Sequence, residues 1–360
     1  HPAIGGIGTF THTIAHGMVA AGHEVTVVGY GKNAGERDDN GVRVVVLPEI
    51  TIRKVAWLIN RWSLRRWLKH EVKGGNADII ETPEYQGLVP FGFNRCPVVV
   101  RLHSSGLPLR FIIRLCEKMT LKTHSNWIAV SNYIYQETVK EYKIAPDIKA
   151  TIYNPVVQPD SGASAPTNLP EDFVLYAGTV SDRKGAFVLA EAARLFLAKF
   201  PNLHLVYAGF LLEEDGLDAE QKIYNIVGAE LVKRVHCLGL VDHAVVLECM
   251  RKAKVFVFPS KLESFGLTPV EAMLCKTPVV YSLTSVGPEI VEDSVTGLLA
   301  DPYSPDDVAE KTMRILSNQS LANRLVENAY QSVNERFSLK RCIDETIAFY
   351  LRCIAEKKDI

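Results

Sequence analysis

Glu263 and Glu271 stand eight residues apart in the stretch 254–277, KVFVFPSKLESFGLTPVEAMLCKT. Were the segment helical throughout, the two carboxylates would lie about 12 Å apart, too far to share one proton. They suit the two ends of one extended ligand. Between them Gly266 opens a helical pattern, with Leu267, Val270, Met273 and Leu274 at helical spacing. Ser264, Phe265, Gly266 and Leu267 then fall where backbone N–H groups lack intrahelical partners, a natural place for an anion such as a phosphate. An anion in the middle with hydroxyl-bearing groups at both ends describes a nucleotide sugar. The plainer reading is a strand–loop–helix carrying surface glutamates.

The elements that position these groups alternate along the chain. Residues 255–258 are a short apolar run that reads as a buried strand, ended by Pro259 and Ser260. Similar runs predict strands at 25–30, 42–47, 78–81, 97–102, 127–130, 173–177, 203–208 and 278–281. Helical pieces between them predict parallel βαβ units, an α/β fold. Residues 32–40 read as a loop. His103 directly follows the strand at 97–102, where open α/β sheets face their ligand crevice. The opening HPAIGGIGTF is a Gly-rich loop into a helix expected over 9–21, and Gly5 and Gly6 let backbone approach a ligand closely. His12 and His16 share a helix face at i, i+4. With no third ligand evident in the sequence, they read as helix surface.

A chain of 360 residues is long for one core and predicts two domains. Apolar content of 47% with 22% charged residues is that of a globular protein, and no apolar run reaches transmembrane length. No signal peptide is expected, and a start at His1 without Met leaves room for residues upstream. Seven cysteines without a CxxC pair read as reduced thiols of a cytoplasmic protein, not as a disulfide framework or zinc site. Residues 1–150 hold 19 basic against 13 acidic side chains, whereas the remainder holds 21 against 28. Such asymmetry points to different partners for the two halves, and no nucleic acid is expected. Residues 52–73 carry Trp57, Trp62 and Trp67 among basic residues, a composition suited to a membrane interface. On a helical wheel the tryptophans and basic residues intermix, which favours packing with a solvated face.

ESFGLTPVE closely resembles the E-x7-E motif of retaining glycosyltransferases of the GT-B fold, the large family-four group. The resemblance runs in family order through GHEV at 22–25, the strand-end His103, GTVSDRKG at 178–185, VHCLGL at 235–240 and the last helix. It implies two Rossmann-like domains facing across a crevice: an acceptor domain at 1–158, a linker at 159–172 and a nucleotide-sugar domain at 173–337. A terminal helix at 338–360 would cross back to the first domain. It also implies a strand before Gly5, which the sequence as given does not include. Carried over residue by residue, Gly5 and Gly6 approach the donor phosphates and His103 contacts the transferred sugar. Lys184 holds the diphosphate, backbone at Leu238 borders the nucleobase, and N–H groups at Phe265, Gly266 and Leu267 assist the phosphate. Glu271 takes ribose hydroxyls and Glu263 sugar hydroxyls.

The chain departs from the pattern at Thr179, where the family has Arg, with Arg183 beside Lys184 as the substitute phosphate ligand. Val157 likewise replaces the Asp of the family's NGVD. The implied activity is retaining, metal-independent hexosyl transfer by front-face attack, from a UDP sugar or, next, a GDP sugar. No cofactor is expected, and the acceptor would be a carbohydrate or lipid-linked hydroxyl in polysaccharide or glycolipid synthesis. The basic first domain adds an expectation of peripheral contact with the inner face of a membrane. Alternatives are a nucleotide-sugar epimerase of the same fold, a two-carboxylate glycosidase, and a non-catalytic nucleotide-sugar-binding homologue.

Overall fold

The computed structural model describes residues 6–52, 55–93, 96–104, 111–157, 166, 169–213 and 218–358. Gly5 and most of the proline-rich stretch 159–172 lie outside these residues. The chain forms two compact units, one of residues His1–Pro155 with Leu339–Ile360, the other of Val156–Ser338.

In the first unit the elements are α1 (Gly6–Ala20), β1 (Val25–Gly31), β2 (Gly35–Asp39), β3 (Val42–Pro48), α2 (Ala56–Gly74), β4 (Ile80–Pro83), β5 (Val98–Leu102), α3 (Phe111–Thr123), β6 (Asn126–Ala129), α4 (Asn132–Tyr142) and β7 (Ile148–Thr151). The second unit runs β8 (Phe173–Ala177), α5 (Ala186–Lys199), β9 (His204–Ala208), α6 (Ala219–Val227), β10 (Val235–Cys237), α7 (His243–Lys252), β11 (Val255–Phe258), α8 (Leu267–Leu274), β12 (Val279–Ser282), α9 (Gly287–Ile290), β13 (Leu298–Ala300), α10 (Pro305–Leu316) and α11 (Gln319–Arg336). The last helix, α12 (Leu339–Lys358), belongs to the first unit.

The second unit is one parallel sheet in the order β10-β9-β8-β11-β12-β13. Numbered within the unit this is 3-2-1-4-5-6, the doubly wound dinucleotide-binding order. Strands β8, β11 and β12 are buried at every position, as expected for parallel strands covered on both faces. The order reverses between β8 and β11, which pair through Val255 with Val174 and Phe256 with Leu175. Side chains beyond the carboxyl ends of those two strands therefore meet at the switch point.

The first unit holds a parallel sheet β4-β5-β6-β7 and a second sheet β1-β3-β2. Residues 35–39, expected as loop, form β2, antiparallel to β3. GERDD has no apolar alternation to announce a strand. Its pairing comes from the Asn40-Gly41 turn, a strong hairpin signal, and from Arg43, whose guanidinium grips Glu36. Helix α1 begins at Gly6 rather than Thr9, so Gly6 and Gly8 are helical.

Helix α12 packs on α1 in a core of Phe10, Ile14, Met18, Val99, Ile128, Ile343 and Phe349. Within it Arg101 is fully buried and bidentate to Glu81, at 2.9 and 2.8 Å. Tyr350 of α12 donates to the same carboxylate at 2.6 Å, and Arg101 reaches Thr346 Oγ1 at 3.4 Å. Burial would raise the Glu81 carboxyl, but the charge and hydrogen bonds of Arg101 prevail and hold it below the usual carboxylate range.

Candidate active site

At the switch point two loops lie against each other. One leaves β8 and ends at Gly185, which opens α5; the other leaves β11 and ends at Gly266, which opens α8. Both glycines are left-handed, with φ of +74° and +77°. A Cβ on Gly185 would sit 1.9 Å from the Pro259 carbonyl oxygen, and one on Gly266 2.2 Å from Tyr281 Oη. Only glycine permits either conformation at this separation. Lys261 N donates to the Arg183 carbonyl at 3.0 Å, and Ser260 Oγ reaches the same carbonyl at 3.4 Å, which fastens the loops together.

This seam brings Lys184 onto Glu263 as an ion pair between two largely buried side chains. Ser260 Oγ lies 3.4 Å from the same Glu263 oxygen, and the Glu263 backbone N donates to Ser285 Oγ at 3.2 Å. Arg183 is exposed and directs Nη1 to the Leu262 carbonyl at 3.4 Å. At the family's Arg position, the Thr179 carbonyl accepts from Tyr176 Oη at 2.8 Å. Asp182 is held by Lys261, at 2.7 and 2.8 Å.

Glu271 belongs to a different cluster. Helix α8 starts only at Leu267, so the all-helical spacing of the two glutamates does not apply. Glu263 faces Lys184, whereas Glu271 bonds His243 Nε2 at 2.9 Å, from the first residue of α7. Between the two clusters, Phe265 is buried edge-on to Phe337 at 5.5 Å. Tyr281 Oη is buried beneath Gly266 without a hydrogen-bond partner among the described residues. Leu238 N continues the β10 ladder, donating to the Tyr207 carbonyl at 2.9 Å.

In the first unit His103 is buried just past β5, with Phe10 edge-on at 4.8 Å. Burial, then the nearby positive Arg101, push its pKa down to about 3, so the imidazole is neutral at ordinary pH. Glu84 fixes the chain here, accepting from His103 N at 2.8 Å, Ser104 N at 2.6 Å and Ser104 Oγ at 3.0 Å. Burial nevertheless raises Glu84 to about 7. Gly6 supplies the first turn of α1, whereas Gly5 lies outside the described residues.

Sequence reasoning did not find Glu84, His243, Ser260, Ser285 or Tyr281. Nothing in the local sequence marks them; the positive φ of +52° at Ser285 is visible only in the structure.

His243 leads to a pH prediction. Its hydrogen bond to Glu271 raises its pKa above the ordinary value, against an opposing effect of burial. The stabilising contribution is full below about pH 6.5 and is lost as pH rises through the raised value. If nucleotide hydroxyls need Glu271, nucleotide affinity rises with pH over that window, and His243→Ala removes the slope. Calorimetry at several pH values checks this, and a flat wild-type profile would show that His243 does not compete.

Residues 158–332 match the family described as Glycosyl transferases group 1, and residues 4–157 match Glycosyltransferase Family 4. Among solved structures, sucrose-phosphate synthase of Thermosynechococcus elongatus has a TM-score of 0.76 at 22% identity, over 98% of this chain and 94% of its own. Anabaena HepE, solved in complex with UDP and glucose, has a TM-score of 0.73 at 19% identity, over 97% and 96%. These likenesses define a GT-B fold. The chain belongs to the GT-B glycosyltransferases of the group 1, family-four type. An uncharacterized glycosyltransferase of Methanocaldococcus jannaschii is 25% identical over 96% of this chain and 94% of its own length. The alpha-D-kanosaminyltransferase of Streptomyces kanamyceticus is 27% identical over 49% of this chain, which spans less than half, 45%, of that relative.

Proposed function

We propose that this glycosyltransferase moves a sugar from a nucleoside-diphosphate sugar to a hydroxyl acceptor with retention of configuration, UDP being the favoured nucleotide and GDP the next. The observation that carries the reading is the Lys184–Glu263 pair beside the start of α8 at the sheet's switch point. Lys184, with Arg183 as a second cation, would stabilise charge developing on the leaving diphosphate, helped by N–H groups at Phe265, Gly266 and Leu267. Glu263 would take sugar hydroxyls and Glu271 ribose hydroxyls. Neutral His103 of the first unit would offer the sugar a hydrogen bond without a charge. The bond from the anomeric carbon to phosphate breaks as the acceptor oxygen attacks from the same face, and the acceptor's proton passes to the departing phosphate. The UDP and glucose of the HepE structure support the choice of nucleotide. The proposed pathway is polysaccharide or glycolipid synthesis.

Calorimetry against UDP, GDP, ADP and their sugars, followed by turnover with and without acceptor, tests the reading. Sugar release without acceptor would favour an epimerase. Binding without turnover would favour a non-catalytic homologue, to which the absence of Arg at Thr179 lends support. The proposal also assigns the diphosphate's charge to side chains and needs no metal. Activity is accordingly expected to survive EDTA, and complete loss restored by Mg2+ would overturn that part.

A membrane-facing acceptor is part of the proposal. Among the described residues no helix is long and apolar enough to span a membrane, but a surface association requires none. Leu58, Ile59 and Trp62 are exposed on α2, and Phe111, Ile112, Leu115 and Met119 on α3, with Phe111 82% exposed. Both helices hold the turn at 85–87, through Arg61 to the Gly87 carbonyl at 2.9 Å and Glu117 to Gln86 N at 2.9 Å. The expectation that packing would claim the tryptophans fails for Trp62, which is 58% exposed under the Arg66 guanidinium. Arg61 is structural, bonded also to the Trp57 carbonyl at 3.0 Å, so it does not serve as a headgroup contact. Each basic residue near an anionic bilayer contributes on the order of 1 kcal/mol. Co-sedimentation with anionic vesicles is expected to fall with salt and to drop in Trp62→Ala/Phe111→Ser. Equal recovery in the supernatant with anionic and neutral vesicles would leave a soluble acceptor as the answer.

A further inference from the structure

The hairpin that the sequence conceals has a second effect. It carries Asp39 to the face of α1 that bears His12 and His16, and the ligand atoms of these three residues lie within 4.8 Å of one another. Asp39 Oδ2 is 3.9 Å from His12 Nε2 and 3.8 Å from His16 Nε2. A tetrahedral shell with bonds of about 2.1 Å spaces its ligands about 3.4 Å apart. Small side-chain rotations therefore suffice to close the three onto one ion.

His16 supplies an independent observation. Its Nδ1 lies 2.8 Å from the His12 carbonyl, and its Nε2 lies 3.1 Å from the Asp39 carbonyl. A neutral imidazole can donate from only one nitrogen. With Nδ1–H donating within the helix, the Nε2 lone pair faces a carbonyl oxygen, which a cation between them would relieve. The Nδ1–carbonyl bond is also the outer-shell contact that fixes tautomer and ring orientation in metal-bound histidines.

We propose that His12, His16 and Asp39 form a site for a late first-row divalent cation, Zn2+ above all, which clasps the β2–β3 hairpin to α1. Two imidazoles and one carboxylate favour Zn2+, Ni2+ or Cu2+ over Mg2+ and Ca2+. His12 is exposed, so a fourth position opens to solvent and takes water. The cation is a fastening outside the phosphate chemistry, and its removal leaves turnover in place.

The test uses the full chain without a histidine tag, stripped with chelator and titrated calorimetrically with ZnCl2. One saturable site is expected, weakened at least about tenfold by each of His12→Ala, His16→Ala and Asp39→Asn. In wild type Zn2+ at about a hundred times its Kd is expected to raise Tm by on the order of 5 °C. The three variants lose that rise, while circular dichroism shows them folded. The second histidine pair, His204 Nδ1 to His236 Nε2 at 2.9 Å, serves as control. His236→Gln is expected to bind Zn2+ as wild type does. Undiminished affinity in His12→Ala and Asp39→Asn, loss in His236→Gln instead, or no saturable binding each overturns the proposal.

Discussion

Lys184→Ala lowers kcat about 10²- to 10³-fold, the loss expected when a preorganised charge is withdrawn from a developing anion, about 3–4 kcal/mol. Glu263→Gln is expected to lower kcat as well, because the carboxylate paired with Lys184, and proposed to take the sugar's hydroxyls, loses its charge while keeping its volume. Glu271→Ala acts on a separate cluster and weakens nucleotide binding about 10- to 100-fold, as removal of a charged hydrogen-bond acceptor would. Steady-state kinetics with nucleotide calorimetry separates the two effects. Unchanged kinetics in both glutamate variants would remove the assignment. A fall in nucleotide affinity alone with Lys184→Ala would mean that lysine binds the ground state and transition state equally.

Arg101→Ala has the largest expected effect on stability. The guanidinium is fully buried against Glu81, and the same carboxylate takes Tyr350 of α12. Removing Arg101 leaves Glu81, whose side chain is 22% exposed, as a mostly buried charge without its partner, at a cost of up to about 3–5 kcal/mol. At the size of the first unit this lowers its melting temperature by on the order of 10 °C. Arg101→Met/Glu81→Gln, which withdraws both charges, is expected to lose less. Because Glu81 is held below its ordinary pKa, its stabilising effect is present above about pH 4.3 and lost as pH falls through the lowered value. Calorimetric unfolding of the two variants between pH 3 and 7 checks both statements. Equal melting of Arg101→Ala and wild type would mean that the cluster is not what holds α12.

What the sequence disclosed follows from how each element is held. The runs at 173–177 and 255–258 were legible because strands buried on both faces must be apolar throughout. β2 was not, because its five residues are polar or glycine and are held by a ladder and an ion pair rather than by burial. The glutamate spacing was legible as a pattern, but not the contact it serves. Lys184 and Glu263 are 79 residues apart and meet only because the strand order reverses between β8 and β11. His243 and Ser285 come from elements whose local sequence gives no reason to look toward the glutamates. The isolated pair His12 and His16 looked inert for the same reason, since its carboxylate partner sits on the strand that went unseen.

The seam at Gly185 and Gly266 also decides where such a chain can vary. Any substituent larger than hydrogen drives Gly185 into the Pro259 backbone and Gly266 into the Tyr281 hydroxyl. Neither position can serve for tuning, and the two loops keep their shape only together. Diversity is left to side chains that stand clear of that seam. Phe210 and Leu212 are exposed past the end of β9, and Leu240 past the end of β10. A library aimed at changing donor preference is better spent on those rims, above all at Leu240, which is 79% exposed.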